Sequence, residues 1–271
     1  MYDISKNPMS RPFEFDGPKD HGVLVLHGFT ATPGTVLPLG RAIAQSGHYV
    51  RGILLPGHGT CVEDMAATRW QQWLGAAQQA FDDMRRSCRH VSVVGLSMGG
   101  TLTLLLAESR PVYRAVPIAA ALKVWDWRSH FAPLLWRLCP YPTVSGHKKT
   151  PHNFLAEYNV CYPCTPLRSV VDMNQMMRVA RQGLKRITCP LLAVQAGKDE
   201  TVHPDSAKWI LLQTKSRYKK LLVLKNSPHV CTLGCERELL FRRVCHFLGS
   251  NPGETSCLKN KSKINKGADL S

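Results

Sequence analysis

His90-Val-Ser-Val-Val-Gly-Leu-Ser-Met-Gly-Gly100, running on through Thr101-Leu-Thr-Leu-Leu-Leu-Ala107, decides the architecture of this chain. The stretch holds no Asp, Glu, Lys or Arg. Residues 90–94 are mostly β-branched and apolar, as a strand buried on both faces requires. Residues 101–109 read as a helix stopped before Pro111. Between them Gly95-Leu-Ser-Met-Gly99 forms a G-x-S-x-G motif on a strand-to-helix turn. Such a turn is tight and needs small flanking residues, which Gly95, Gly99 and Gly100 supply. It lifts the Ser97 hydroxyl above the sheet and aims a helix N-terminus at any negative charge developing beside it. The glycine-interrupted stretch is too short for a lipid span of about 20 uniformly apolar residues.

Strand and helix patterns alternate outward from this unit. Upstream, residues 22–26 and 49–55 read as strands, and 38–45 and 69–86 as helices. In the second helix Trp70, Trp73, Leu74, Ala77, Phe81 and Met84 recur at three- and four-residue steps. Downstream, 112–122 holds a strand, 190–196 and 220–224 are strands, and 205–213 and 236–248 are helices. This alternation predicts an α/β fold: a mostly parallel central sheet with helices on both faces. Residues 1–122 and 187–249 form the expected core. Residues 123–186 break the rhythm with scattered prolines and no clear strand, and read as a cap or lid over the sheet's C-terminal edge. Residues 250–271, rich in Lys, Asn, Ser and Gly, read as a disordered tail.

Composition sets further bounds. The chain has 271 residues, 44% of them apolar, with ten Cys and a formal net charge of +16. That is too apolar for a disordered chain and too sparse in Cys for a disulfide scaffold. Residues 1–20 mix charges of both signs with three prolines, so no secretory signal is expected. No transmembrane segment is expected, and the reading is a cytoplasmic protein with reduced cysteines. The basic residues are dispersed and carry no nucleic-acid-binding signature, so a solvated basic surface is expected rather than a nucleic-acid partner.

A serine hydroxyl attacks only when a base takes its proton, and that base needs an orienting carboxylate. On a sheet of this kind the order along the chain is Ser, acid, His. Asp199 follows one predicted strand in Gln195-Ala-Gly-Lys-Asp199, and His229 follows the next in Asn226-Ser-Pro-His229. Both therefore fall on the same sheet edge as Ser97. Asp205 is the alternative acid, although it reads more readily as a helix N-terminal residue. An oxyanion hole needs two backbone N–H groups: that of Met98, after the nucleophile, and that of Phe29 in the loop His27-Gly-Phe-Thr30. His27 and His58 read as braces of their loops.

These pieces resemble an α/β-hydrolase, most closely the small bacterial carboxylesterases related to monoacylglycerol lipases. The resemblance rests on His27-Gly-Phe-Thr30, Gly57-His-Gly59, Gly95-Leu-Ser-Met-Gly-Gly100, Gln195-Ala-Gly-Lys-Asp-Glu200, His203-Pro-Asp-Ser206 and Ser227-Pro-His-Val230, and spans residues 13–249. It implies Ser97, Asp199 and His229 as the triad, Phe29 and Met98 as oxyanion donors, a small cap, and short-to-medium acyl esters as substrates. Pro228 departs from the glycine usual in the family. The same machinery serves an acyl thioesterase, and the same fold can serve a ligand-binding protein with little turnover. Neither a cofactor nor a metal is expected, and the partner is a small-molecule ester.

Within the cap, Phe131, Leu134, Leu135 and Leu138 fall at helical spacing, with Trp125, Trp127 and Trp136 nearby. Such a stripe either packs the cap onto the core or walls an acyl pocket; Trp125, Phe131, Leu134 and Leu135 are the candidate substrate contacts. Cys161-Tyr-Pro-Cys164 lacks the second ligand pair of a zinc site and reads as structural or incidental.

Overall fold

The computed structural model describes residues 3–126, 129, 131–137 and 154–249. Trp127, Leu138 and the 250–271 segment lie outside them. Seven strands form one sheet: β1 (Phe13–Phe15), β2 (His21–Leu26), β3 (Tyr49–Gly52), β4 (His90–Leu96), β5 (Ala115–Ile118), β6 (Leu191–Ala196) and β7 (Lys219–Leu224). Their spatial order is β1-β3-β2-β4-β5-β6-β7. β1 is antiparallel to β3, and the other pairs are parallel. The helices are α1 (Leu37–Gln45), α2 (Val62–Ala67), α3 (Trp70–Ser87), α4 (Met98–Ser109), α5 (Ala132–Leu135), α6 (Leu167–Gly183), α7 (Asp205–Gln213) and α8 (Arg237–Gly249). The α/β sheet with helices on both faces is as the sequence predicts.

Alternate strand residues enter two apolar layers. Val23, Val25, Val94 and Leu96 share one layer with Leu39 and Ile43 of α1 and Leu240 and Val244 of α8. Leu24, Leu26, Val91 and Val93 share the other with Trp73 of α3, Leu102 of α4 and Met176 of α6. Burial on both faces is why these strands read as continuous apolar runs. Trp73 and Phe81 are fully buried, and burying such side chains stabilises the fold by about 1.5–3 kcal/mol each.

The strand order also places the site. From β2 the chain moves outward to β3, then returns past β2 to β4, so the winding reverses between β2 and β4. At such a reversal the connections leave in opposite directions and open a crevice beyond the strand ends. Ser97 follows β4 and Gly28 follows β2. A Cβ on Gly28 would stand 3.4 Å from the Ser97 Cβ.

Three elements go beyond the sequence reading. β1 is a three-residue edge strand and α2 a short helix before α3. The third is α6, seventeen residues long, in the region read as irregular. Its buried positions Ser169, Asp172, Met173, Met176, Met177, Ala180 and Gly183 form a helical stripe, but methionines, small residues and a carboxylate write it weakly. Asp172 is buried there because it accepts from the Trp70 amide at 3.2 Å and lies 3.9 Å from both Arg69 and Arg168. The predicted 49–55 and 112–122 strands contract to β3 and β5.

Candidate active site

Ser97 sits between β4 and α4 with φ +57° and ψ −115°, a conformation costly for a side-chain-bearing residue (about 1–3 kcal/mol). Surrounding bonds hold it there. Its amide donates to Ile118 O at 2.8 Å, and its carbonyl accepts from Thr101 N at 3.1 Å. The flanking glycines are obligatory through close approach. A Cβ on Gly95 would lie 2.1 Å from Gly99 O, and one on Gly99 would lie 2.2 Å from Leu26 O.

The residues expected at the two following strand ends arrive beside it. His229 Nδ1 is 2.9 Å from Asp199 Oδ2, and His229 Nε2 is 2.9 Å from Ser97 Oγ. Asp199 Oδ1 accepts from the amides of Thr201 at 2.9 Å and Val202 at 2.8 Å. Three donors thus converge on a carboxylate only 2% exposed, which is what burying that charge requires. With Nδ1–H committed to Asp199, Nε2 is left to accept from the serine hydroxyl. Asp205, the alternative acid, pairs instead with Lys123 at 2.8 Å.

The loop carrying His229 is itself tied. Glu236 Oε2 accepts from Asn226 N and Ser227 Oγ, both at 2.8 Å. Cys231 N donates to His229 O at 2.9 Å. Burial, reinforced by the Asp199 charge, pushes the Cys231 thiol up to about 12, so this cysteine is an inert packing residue.

On the opposite side of Ser97, Phe29 follows Gly28 and precedes Thr30, whose φ is +59°. Among the described residues neither the Phe29 nor the Met98 amide has an acceptor, which leaves both available to an oxyanion. His27 spans this loop and its neighbour: Nδ1 donates to Gly28 O at 2.9 Å, and Nε2 accepts from Leu55 N at 3.1 Å. Burial, then the neighbouring His58, lowers its pKa to about 3. His58 Nδ1 lies 3.0 Å from Pro56 O, and burial lowers that ring to about 4. Both are neutral braces.

The cap candidates are dispersed. Trp125 is 51% exposed and lies against the outside of the acid-bearing loop; its indole Nε1–H donates to Asp199 O at 3.0 Å. An apolar cavity of about 560 Å³ lies on that flank, lined by Trp125, Asp199, Leu211, Leu212, Leu221 and Val223. Phe131, Leu134 and Leu135 are 48%, 74% and 42% exposed, so the helical stripe, cut to the four residues of α5, does not bury them in the core. Sequence reasoning missed Tyr162. Its hydroxyl donates to Gly57 O at 2.9 Å and accepts from Thr60 N at 3.0 Å. The Cys-x-x-Cys spacing around it drew attention to the wrong atoms. Among the described residues no His, Cys, Asp or Glu cluster could hold a metal, and no helix is long and apolar enough to cross a membrane.

Comparison with known proteins shows the family and the fold. The family described as "Serine aminopeptidase, S33" matches residues 17–233. The thermostable monoacylglycerol lipase of Bacillus sp. (strain H-257) is 33% identical over 233 residues, covering 86% of this chain and 92% of that protein. The carboxylesterase of Bacillus subtilis (strain 168) is 27% identical over 239 residues, covering 88% and 96%. A solved structure from work on the metagenome-derived lipolytic enzymes LipS and LipT superposes with a TM-score of 0.83 at 30% identity, covering 89% of this chain and 98% of that one.

Proposed function

The chain belongs to the serine aminopeptidase family of α/β-hydrolases and is a hydrolase of the esterase and lipase type; from that premise we propose that it cleaves carboxylic esters of short-to-medium acyl chains through Ser97, His229 and Asp199. The observation that carries this is the pair of 2.9 Å contacts made by the two nitrogens of one imidazole, to Ser97 Oγ and to Asp199 Oδ2.

In the proposed mechanism His229 Nε2 takes the Ser97 hydroxyl proton as Oγ bonds to the ester carbonyl carbon. The carbonyl π electrons move onto oxygen, and the Phe29 and Met98 amides donate to that oxyanion. The N-terminus of α4 adds a partial positive charge at the same place. Asp199 holds the imidazole in its tautomer and stabilises the imidazolium. The tetrahedral adduct collapses, the bond to the alkoxy oxygen breaks, and Nε2 returns its proton to the departing alcohol. Water, deprotonated by His229, then releases the acid from the acyl-serine and restores Ser97.

The 123–186 insertion acts as the cap in this reading, with α6 as its foot on α3 and α4. The names of the Bacillus relatives, a monoacylglycerol lipase and a carboxylesterase, support an uncharged ester substrate. The eight cysteines of the described residues are all free, which supports a reducing, cytoplasmic compartment.

The test is a rate profile over 4-nitrophenyl esters of rising acyl length, with acyl-coenzyme A alongside and an organophosphonate as the active-site label. Turnover of esters, label on Ser97 alone, and loss of both in Ser97→Ala are expected. Label on another serine, or turnover surviving in Ser97→Ala, overturns the assignment. Acyl-coenzyme A cleaved faster than every ester overturns the substrate class.

A further inference from the structure

Two separate stretches of the insertion, residues 123–125 and 161–162, are stitched to two different loops of the site. At its start, Val124 forms an antiparallel bridge with Val202. The Trp125 amide donates to Thr201 O at 3.0 Å, and its indole N–H to Asp199 O at 3.0 Å. The Trp125 ring packs on His203 with centroids 4.1 Å apart. Lys123 adds the ion pair with Asp205, and its carbonyl accepts from His203 N at 2.8 Å. The turn presenting Asp199 to His229 is thus gripped from outside by one short stretch.

Further along, the chain returns to the other side of Ser97. Cys161 bridges Ala31 antiparallel, and Tyr162 N donates to Thr30 O at 3.0 Å. The Tyr162 side chain is 5% exposed and ends between Gly57 O and Thr60 N. It therefore ties the loop bearing Phe29 to the Gly57-His-Gly59 loop beside it. Thr30 has positive φ, unusual outside glycine, so its conformation needs an external hold. The Tyr162 amide, on the carbonyl of that residue, supplies one.

We propose that Trp125 and Tyr162 are positioning residues through which the cap segment holds the catalytic machinery from both sides, Trp125 setting the acid loop and Tyr162 the oxyanion loop. The proposal rests on the triad reading above. It also reassigns Trp125. A wall of the acyl pocket would present its indole to substrate, whereas this indole N–H is spent on the backbone of the acid residue. Neither side chain touches the reacting atoms. Each fixes a loop whose displacement by about 1 Å would cost on the order of 100-fold in rate.

The distinguishing feature of positioning is where the loss appears. Trp125→Phe keeps a ring to lie on His203 and removes only the N–H to Asp199 O. The bond is solvent-exposed, so water takes the donor's place on the carbonyl and folding survives. The expected result is kcat lower by about 5- to 20-fold with KM for 4-nitrophenyl butyrate within twofold. The affinity of an alkyl boronic acid, which mimics the tetrahedral adduct, should fall in proportion to kcat/KM. Tyr162→Phe should act likewise, with a lower melting temperature because two part-buried backbone groups lose their partner. Where that variant does not fold, Trp125→Phe decides alone. A raised KM with kcat unchanged in Trp125→Phe overturns the proposal and returns Trp125 to the substrate wall. Unchanged kcat and boronate affinity overturn it as well. In both cases phosphonate labelling of Ser97 in the unmutated protein stands, so failure of the clamp is separable from failure of the triad.

Discussion

Gly99 lies so close to Leu26 that a Cβ on it would stand 2.2 Å from the Leu26 carbonyl oxygen. This contact sets the first turn of α4 against the end of β2, and so brings the serine turn to the Phe29 loop. Gly99→Ala must push the two apart. Overpacking of this kind costs about 1–3 kcal/mol, which lowers Tm by roughly 2–4 °C per kcal/mol in a chain of this size. The displaced turn should also lower kcat/KM on the order of 100-fold. Calorimetry and an ester assay on one preparation check both numbers, and full activity in a folded Gly99→Ala protein contradicts the contact.

The two candidate acids have separable fates. Asp199→Asn keeps the shape of the site but favours the wrong imidazole tautomer, and kcat should fall on the order of 10⁴-fold, the size of the handicap in the serine-protease triad. Asp205→Asn loses a partly exposed ion pair with Lys123 and should change kcat by less than about threefold. Steady-state kinetics of both variants settle the acid, and the reverse ranking would move it to Asp205.

What the sequence disclosed follows from where each signal is written. β2, β4 and β6 are buried on both faces, so their apolar runs are continuous and legible. Ser97 directly follows β4, and Asp199 stands three residues beyond β6. His229 stands five residues beyond β7, a mostly exposed strand, so its candidacy rests on its chemistry and chain order rather than on a buried run. Phe13-Glu-Phe15 is too short a strand to carry a period, and the α6 stripe is built on methionines, Ser169 and Asp172 rather than on aliphatics. The stripe from Phe131 left two readings open: its spacing is helical, and with Leu134 74% exposed the packing of this face onto the core is not the one that holds. The bond from Trp125 to the acid loop could not be read at all, since its acceptor is a carbonyl 74 residues away and backbone atoms leave no mark in a sequence.

The buried histidines make stability depend on pH with a definite sign. His27 and His58 are held neutral by burial, with values near 3 and 4 against an ordinary 6.5. As pH falls below 6.5 the unfolded chain takes up these protons first, so stability intact above 6.5 is lost towards pH 3–4. His21, lowered to about 3 by burial, acts in the same direction. Glu108, raised to about 7 by burial despite Arg186, has the opposite sign: its contribution is present below 4.5 and is lost as pH rises towards 7. The histidines outnumber it, so unfolding free energy should drop on the order of 2 kcal/mol between pH 7 and pH 5. Urea titrations at the two pH values measure it; a protein more stable at pH 5 would show that Glu108 prevails.

The exposed apolar side chains of α5 test the acyl wall. Leu134 and Leu135 stand 74% and 42% exposed on a helix packed against α6, so replacing them removes little core contact. Leu134→Ser and Leu135→Ser should therefore leave Tm within about 1–2 °C, unlike Phe81→Ala, where about 3–5 kcal/mol of core packing is lost. A chain carbon moved from water onto such a surface gains up to about 0.8 kcal/mol. An acetate is too short to reach beyond the scissile bond, whereas an octanoate would place several methylenes along α5 if that helix walls the acyl site. Both serine variants should then raise KM for 4-nitrophenyl octanoate by about 3- to 10-fold while leaving acetate kinetics and kcat unchanged. An equal effect on both esters would mean that α5 acts on the catalytic loops rather than on the acyl chain. No effect on either would place the acyl chain elsewhere, and Leu211, Leu212 and Val223 in the cavity of about 560 Å³ would be the next surface to mutate.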